Sequence, residues 1–366
     1  MSGSAASRRL AFAIPGSLDT PTGGYRYDAN IIEGLGQDGW QVECVALPEG
    51  FPKPSPDEVR LTEERLLSVA SDVPLVIDGL AYGVLPDMGA KRAAKGLLIA
   101  LVHHPLCLES GLSEEERVRF AVLEKAALAH AHHVIVTSPA TARDLTARFG
   151  LPPEKLSVIE PGVARPDPPI ERGRINELSP SAPLRLLTIG SITPRKGHDV
   201  LVAALARLKN LPWTLTLIGD GSRDPGCASA LKMQIAEAGL SDRIALTGAT
   251  DEAGIDLAYR THDVFVLASR YEGYGMVFSE ALVYGLPVIG TKAGAIAETV
   301  PEGAGILVKP EDAGELSDAL GVLIENAKCR ETLVSRVFEV MSDFPDWYMA
   351  AEKFGRAILV AAARIN

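Results

Sequence analysis

A rhythm constrains the fold of this chain more than any single motif. Short apolar runs alternate with helical stretches, and the alternation occurs in two series. In the first, Leu10–Gly16, Gln41–Leu47, Val73–Gly79, Gly96–Val102, His132–Ser138 and Leu156–Pro161 read as strands. In the second, Leu184–Gly190, Trp213–Gly219, Arg243–Gly248, Val264–Ser269, Pro287–Gly290 and Gly305–Val308 do so. Strand–helix–strand repetition makes βαβ units and a largely parallel sheet. Ser113 to His130 is the clearest intervening helix, with a Ser start, three Glu in its first turn and apolar residues at helical spacing. Between the series, Val163 to Pro183 carries Pro166, Pro168, Pro169, Pro180, Pro183 and mixed charges, the composition of an interdomain linker. The expected fold class is α/β, two doubly wound domains with a cleft between the carboxyl edges of their sheets, where ligands bind in such folds.

Bulk composition limits the function classes. With 366 residues, 47% of them hydrophobic, the chain can fill two cores. Its net charge of −11 argues against nucleic acid as a partner. Cys44, Cys107, Cys227 and Cys329 fit no metal spacing and suggest a reducing compartment. Met1 to Arg9 lacks the apolar core of a signal peptide, and runs such as Gly96 to Val102 are far short of the ~20 residues of a membrane span. A cytoplasmic protein is expected. Peripheral contact with the inner face of a membrane stays open, although Lys91, Arg92 and Lys95 read more simply as a solvated helix face.

The chemistry concentrates in Glu272-Gly-Tyr-Gly-Met-Val-Phe-Ser-Glu280, followed by Gly285-Leu-Pro-Val288. Glu272 falls in a glycine-rich loop, and Glu280 falls in or near the first turns of the helix that the loop opens. Backbone N–H groups at that helix start favour an anion such as a phosphate. Gly273 and Gly275 let a ligand approach the backbone. Carboxylates beside an anion site suit neutral hydroxyls, so a sugar nucleotide is the expected ligand. Gly190-Ser-Ile-Thr-Pro-Arg-Lys-Gly197 also follows a strand and precedes a helix. Arg195 and Lys196 there suit a diphosphate, although the order is not that of a P-loop. Pro15 to Gly24 ends in Gly23-Gly24 and is not a dinucleotide fingerprint. His103 and His104 end a strand, and one of the two is expected to enter the cleft. Zinc is not expected, because no third ligand stands at suitable spacing.

These motifs closely resemble the retaining glycosyltransferases of family 4, which have the GT-B fold of two Rossmann-like domains. The resemblance covers about Gly23 to Trp347. It rests most on the Glu-x7-Glu segment and next on the Arg195-Lys196 loop. It departs at Ser191, where the family often has Arg. It implies a domain at 1–165 on the acceptor side, a linker at 166–183, a donor domain at 184–345 and a helix at 346–366 packing back on the first domain. It further implies transfer of a hexose from a UDP-, GDP- or ADP-sugar to an unknown glycan, lipid or small metabolite. In that scheme Glu280 binds the ribose and Glu272 the donor sugar. Gly273, Tyr274, Gly275 and Met276 meet sugar and phosphates, and Arg195 and Lys196 stabilise the departing diphosphate. Gly23 and Gly24 lie by the donor phosphate, and His103 or His104 reaches the donor sugar. Gly190, Gly219 and Gly248 lie in loops of the donor site. Asp78 could face the acceptor, and Glu298 is structural. Neither metal nor other cofactor is expected, in keeping with the absence of an Asp-x-Asp element. The rival assignments are a GT-B-like nucleotide-sugar epimerase or hydrolase, and a non-catalytic sugar-nucleotide-binding subunit.

Overall fold

The computed structural model describes residues 8–18, 20, 22–109, 111–171 and 182–365. It divides into two compact units, Met1–Gly162 with Pro345–Asn366, and Val163–Phe344. Among the described residues no helix is long and apolar enough to cross a membrane.

The first unit runs β1 (Arg9–Pro15), α1 (Gly23–Gln37), β2 (Gln41–Leu47), α2 (Pro56–Ser68), β3 (Leu75–Asp78), α3 (Gly79–Tyr82), α4 (Pro86–Ala93), β4 (Leu98–Val102), α5 (Glu114–His130), β5 (His133–Val136), α6 (Pro139–Phe149) and β6 (Leu156–Val158). Its sheet has the order β2-β1-β3-β4-β5-β6, all parallel. β3, β4 and β5 are buried at every position, as expected of strands covered on both faces. The order reverses between β1 and β3, and ligands of such sheets bind at the carboxyl ends beside that reversal. β3 is shorter than the apolar run suggests: Pro74 has no N–H to give the ladder, and the Asp78 side chain already caps α3 through Leu80 N at 2.7 Å.

α5 keeps the predicted start, with a reciprocal Ser113–Glu116 capping box. Its inward face differs from expectation. Val118 and Val122 are 56% and 62% exposed, whereas Glu124 is buried with Phe120, Ala127 and Leu128. The Glu124 carboxylate fits there because it accepts the Leu106 N–H at 2.9 Å, and burial pushes its pKa up to about 8.

The C-terminal helix (Trp347–Ala363) belongs to the first unit and lies along α1. A side chain at Gly34 would meet Ala351 Cβ at 2.5 Å, so glycine sets the distance between the two helices. Phe354 stacks on Phe12 at 6.0 Å, and Trp347 meets Tyr27 edge-on at 5.9 Å. Phe354 is fully buried, and truncating such a side chain to Ala costs roughly 3–5 kcal/mol.

The second unit runs β7 (Leu184–Ile189), α7 (His198–Ala206), β8 (Trp213–Ile218), α8 (Pro225–Glu237), β9 (Ile244–Gly248), α9 (Glu252–Thr261), β10 (Val264–Val266), α10 (Met276–Val283), β11 (Val288–Thr291), α11 (Ile296–Thr299), β12 (Gly305–Val308), α12 (Ala313–Glu325) and α13 (Ala327–Val340). Its parallel sheet has the order β12-β11-β10-β7-β8-β9, which reverses between β7 and β10. Residues 172–181 of the expected linker lie outside the described residues. The chain from Val163 to Glu171 groups with this unit, where the Arg165 guanidinium donates to the carbonyls of Met341, Ser342 and Phe344.

Candidate active site

The loops after β7 and β10, on either side of the reversal, build one charged cluster. The chain folds this closely there because of glycine. Gly197 lies at φ +64°, and a Cβ on it would sit 2.0 Å from Ala268 O. A Cβ on Gly219 would sit 1.9 Å from Gly190 O. Gly190 N donates to Ile218 O and Gly219 N to Gly248 O, each at 2.9 Å. Gly190, Gly219 and Gly248 therefore form one backbone seam across the ends of β7, β8 and β9.

Lys196 Nζ donates to Glu272 Oε1 at 2.7 Å, and Arg195 Nη1 to Glu272 Oε2 at 3.2 Å. Ser269 Oγ donates to Glu272 Oε1 at 2.6 Å. Glu272 is only 5% exposed. Burial pushes its pKa up, but the Lys196 and Arg195 charges outweigh this and hold it at about 2. The backbone of Glu272 is fixed as well: its carbonyl accepts Ala295 N at 2.9 Å, and Gly294, at φ +59°, packs against it. Thr291 Oγ1 donates to Ser269 O at 2.5 Å, which ties the segment after β11 to the same loop. The sequence assigned the two cations to a diphosphate. In the structure both are ion-pair partners of Glu272.

Gly275, at φ +88°, is the N-cap of α10 and gives no side-chain cap, and no acidic residue occupies the first turn. Backbone N–H groups of such a helix start are suited to an anion. Tyr274 is buried, and its carbonyl accepts Thr299 Oγ1 at 2.6 Å. Met276 begins α10, and Gly273 lies in the loop before it. Glu280 sits one turn into α10, where its Oε2 accepts the Tyr259 hydroxyl at 3.0 Å.

The remaining predicted residues lie in the first unit. Gly23 and Gly24 open α1, capped by the Thr22 hydroxyl. A Cβ on Gly24 would stand 3.2 Å from the His103 ring. His103 Nε2 lies 3.1 Å from Asp28 Oδ1 and 3.3 Å from Asp78 Oδ2. These three atoms, from α1, β3 and the end of β4, lie within 4.8 Å of one another, so a set of metal-ligand type does exist, although its members are far apart in sequence. His104 is placed differently, with its Nε2 3.1 Å from the half-exposed Glu109. The structure thus gathers the predicted residues into two groups, one in each unit.

Several supporting residues escaped the sequence reading. Ser269 and Tyr259 are partners of the two glutamates. Asp28 stands one helical turn after Gly24, a spacing that could have drawn attention to it. His198, buried at the start of α7, donates from Nε2 to Ser191 O at 3.3 Å. Burial and then the Lys196 charge hold its pKa at about 4, which leaves the ring neutral. Arg270 pairs with Asp199 at 2.8 Å and Glu311 at 2.9 Å, and donates to Pro194 O beside Arg195.

The fold is that of known sugar-transfer proteins. It matches sucrose-phosphate synthase from Thermosynechococcus elongatus with a TM-score of 0.79, 21% identity and coverage of 97% of this chain and 100% of that one. It matches the Anabaena protein HepE, solved with UDP and glucose, with a TM-score of 0.74, 20% identity and coverage of 96% and 99%. Residues 21–165 match Glycosyltransferase Family 4, and residues 183–326 match Glycosyl transferases group 1. The chain belongs to this GT-B family. It is 27% identical to an MMP alpha-(1->4)-mannosyltransferase of Mycolicibacterium hassiacum, over 76% of this chain and 68% of that protein. It is 30% identical to a D-inositol 3-phosphate glycosyltransferase of Nocardia farcinica, where the match takes in 57% of this chain and about half (48%) of the relative.

Proposed function

We propose that the protein transfers a hexose from a nucleoside-diphosphate sugar to an acceptor hydroxyl, with retention at the anomeric carbon. The observation that carries this reading is the Glu272–Lys196–Arg195 cluster at the strand reversal of the second unit. A fixed carboxylate there suits sugar hydroxyls, and two cations beside it suit a diphosphate. An ammonium has three N–H donors and a guanidinium five, so each can serve Glu272 and a phosphoryl oxygen together. Glu280 takes the ribose hydroxyls, and the start of α10 takes phosphate or sugar oxygens.

In the reaction the bond from the anomeric carbon to the phosphate oxygen breaks. The acceptor oxygen bonds to that carbon on the same face, and the acceptor proton passes to the departing phosphate oxygen. Negative charge grows on the diphosphate, where Lys196 and Arg195 stabilise it. Glu272 is a binding carboxylate in this scheme, not a nucleophile, because both its oxygens are engaged by donors. The protein's own cations fill the role that a metal has in other transferases. The similarity to HepE, solved with UDP and glucose, supports a nucleotide-sugar donor. An inositol phosphate is one acceptor to be tried, because one relative is named a D-inositol 3-phosphate glycosyltransferase.

The test is incubation of the purified chain with UDP-, GDP- and ADP-sugars, with acceptors and chelator present, and product NMR. A glycoside with the donor's anomeric configuration is expected. An inverted product would refute retention, loss of turnover restored by Mg²⁺ would refute metal independence, and epimerised or hydrolysed donor alone would refute transfer.

A further inference from the structure

The first unit carries a second cluster at its own strand reversal. Asp28 projects from α1, Asp78 ends β3, and His103 follows β4. The side chains of Asp28 and Asp78 are 0% and 3% exposed, whereas that of His103 is 20% exposed. A ligand can therefore reach the imidazole but not the carboxylates. Asp78 is locked by accepting the Leu80 N–H through Oδ1, which leaves Oδ2 toward the ring. Asp28 meets the ring through Oδ1, and its buried Oδ2 has no hydrogen-bond partner. Tyr27 meets the ring edge-on at 5.3 Å, and Gly24 leaves room for it on the α1 side. The charged groups facing the ring are thus Asp28 on α1 and Asp78 on β3.

We infer that Asp28 and Asp78 are positioning residues that hold His103 as a fixed imidazolium, with Nε2 turned inward and Nδ1–H left to donate to a ligand oxygen. Two buried carboxylates against one imidazole cannot both remain charged cheaply, because like charges in low dielectric repel. A proton on the ring and one between the aspartates balances the charge. The pKa directions agree. Burial raises Asp28 to about 7 against the lowering effect of His103. Burial alone would lower His103, but Asp28 and Asp78 carry it up to about 10. His103 is then a donor and a positive charge, never a general base at neutral pH. Its ligand must be an acceptor of hydrogen bonds, such as a phosphoryl or sugar oxygen. This role in transfer rests on the function proposed above, but the charge state does not.

The full-length protein labelled with ¹⁵N-histidine separates the two. His103 is identified by its loss in His103→Gln. Its ring is expected to show imidazolium shifts beyond pH 8, and to titrate at least about one unit lower in Asp28→Asn or Asp78→Asn. A neutral ring at pH 7 in the wild type, which needs no variant to observe, would overturn the inference, as would an unchanged titration in both variants. A stoichiometric divalent metal in the purified protein, lost in His103→Gln, would overturn it too. In turnover, Asp28→Asn is expected to lose about tenfold in kcat/KM. The double variant Asp28→Asn/His103→Gln is expected to lose no more than His103→Gln alone. Independent, multiplying losses would show that Asp28 does not act through His103.

Discussion

In the second unit a carboxylate, Glu272, is enclosed by Lys196 and Arg195. In the first unit an imidazole, His103, is enclosed by Asp28 and Asp78. Both clusters stand at the carboxyl ends of strands beside the reversal of a parallel sheet. The fold supplies the same place twice, and the side chains give it opposite charge patterns. In both, burial works against the central charge, and flanking groups of opposite sign restore it. Position in the sheet therefore fixes where each cluster stands, whereas the ring of neighbours fixes the charge it presents there.

The largest expected effect is on turnover. Glu272→Gln keeps the shape but removes the charge that both Lys196 and Arg195 face. A fall in kcat/KM of about 10³, or about 4 kcal/mol, is expected, the scale of losing a preorganised charged contact at a reaction centre. Asp28→Asn, acting one residue removed from any ligand, is expected to lose far less. Steady-state kinetics of the two variants would reverse the ranking of the clusters if Asp28→Asn proved the more damaging.

Stability against pH should divide the clusters next. The pKa of Glu272 is lowered to about 2, so its contribution is present above its ordinary value near 4.5 and is lost as pH falls toward 2. That contribution is about 3 kcal/mol. His103 is raised to about 10, so its contribution is fully present below about 6.5 and is lost as pH rises through 10. Asp28, raised to about 7, has the same sign, weakening the fold as pH climbs from its ordinary carboxylate range. Urea unfolding across pH checks this. Glu272→Gln is expected to flatten the acid limb alone, and the double variant Asp28→Asn/His103→Gln, which removes both raised groups, the alkaline limb alone. Loss of the same limb in both would mean that the opposed charge patterns do not govern stability.

The two clusters were not equally legible in the sequence. Glu272, Arg195 and Lys196 lie in loops with their own glycine signatures, and each loop announces itself after an apolar run. Gly190, Gly219 and Gly248 were each legible for the same reason, but not the hydrogen bonds that join them into a seam. The ion pairing of Glu272 with Arg195 and Lys196 was not legible either, because it depends on how closely Gly197 and Ala268 approach across the sheet. His103 and His104 were both visible at a strand end, but their different surroundings were not, because Asp28 and Asp78 are distant from them in sequence. Alternation of side chains along the chain sends the adjacent histidines to different partners. α5 shows the opposite failure: its apolar spacing was legible, yet packing turned Glu124 inward and left Val118 and Val122 to solvent.

The smallest effect tests whether a neutral partner differs from a charged one. Within the second unit Glu272 is held by two cations, whereas Glu280 has the Tyr259 hydroxyl on its Oε2. Tyr259 is buried, stacks on Tyr284 at 5.0 Å and packs against Phe265, so Tyr259→Phe keeps the ring in place. Only the hydroxyl is lost, with its contacts to Glu280 Oε2 at 3.0 Å and to the Val277 carbonyl at 3.3 Å, and a hydrogen bond to a carboxylate contributes about 1.5–3 kcal/mol at most when buried. Part of that returns if water reaches Oε2, which leaves about 1 kcal/mol. If Glu280 binds the ribose, the missing hydroxyl loosens its orientation in the ground state and the transition state alike. The dissociation constant for the nucleoside diphosphate is then expected to rise about fivefold with kcat nearly unchanged. Calorimetric titration and kcat measured together check this, and a fall in kcat at constant affinity would place Glu280 among the groups that meet the reacting sugar.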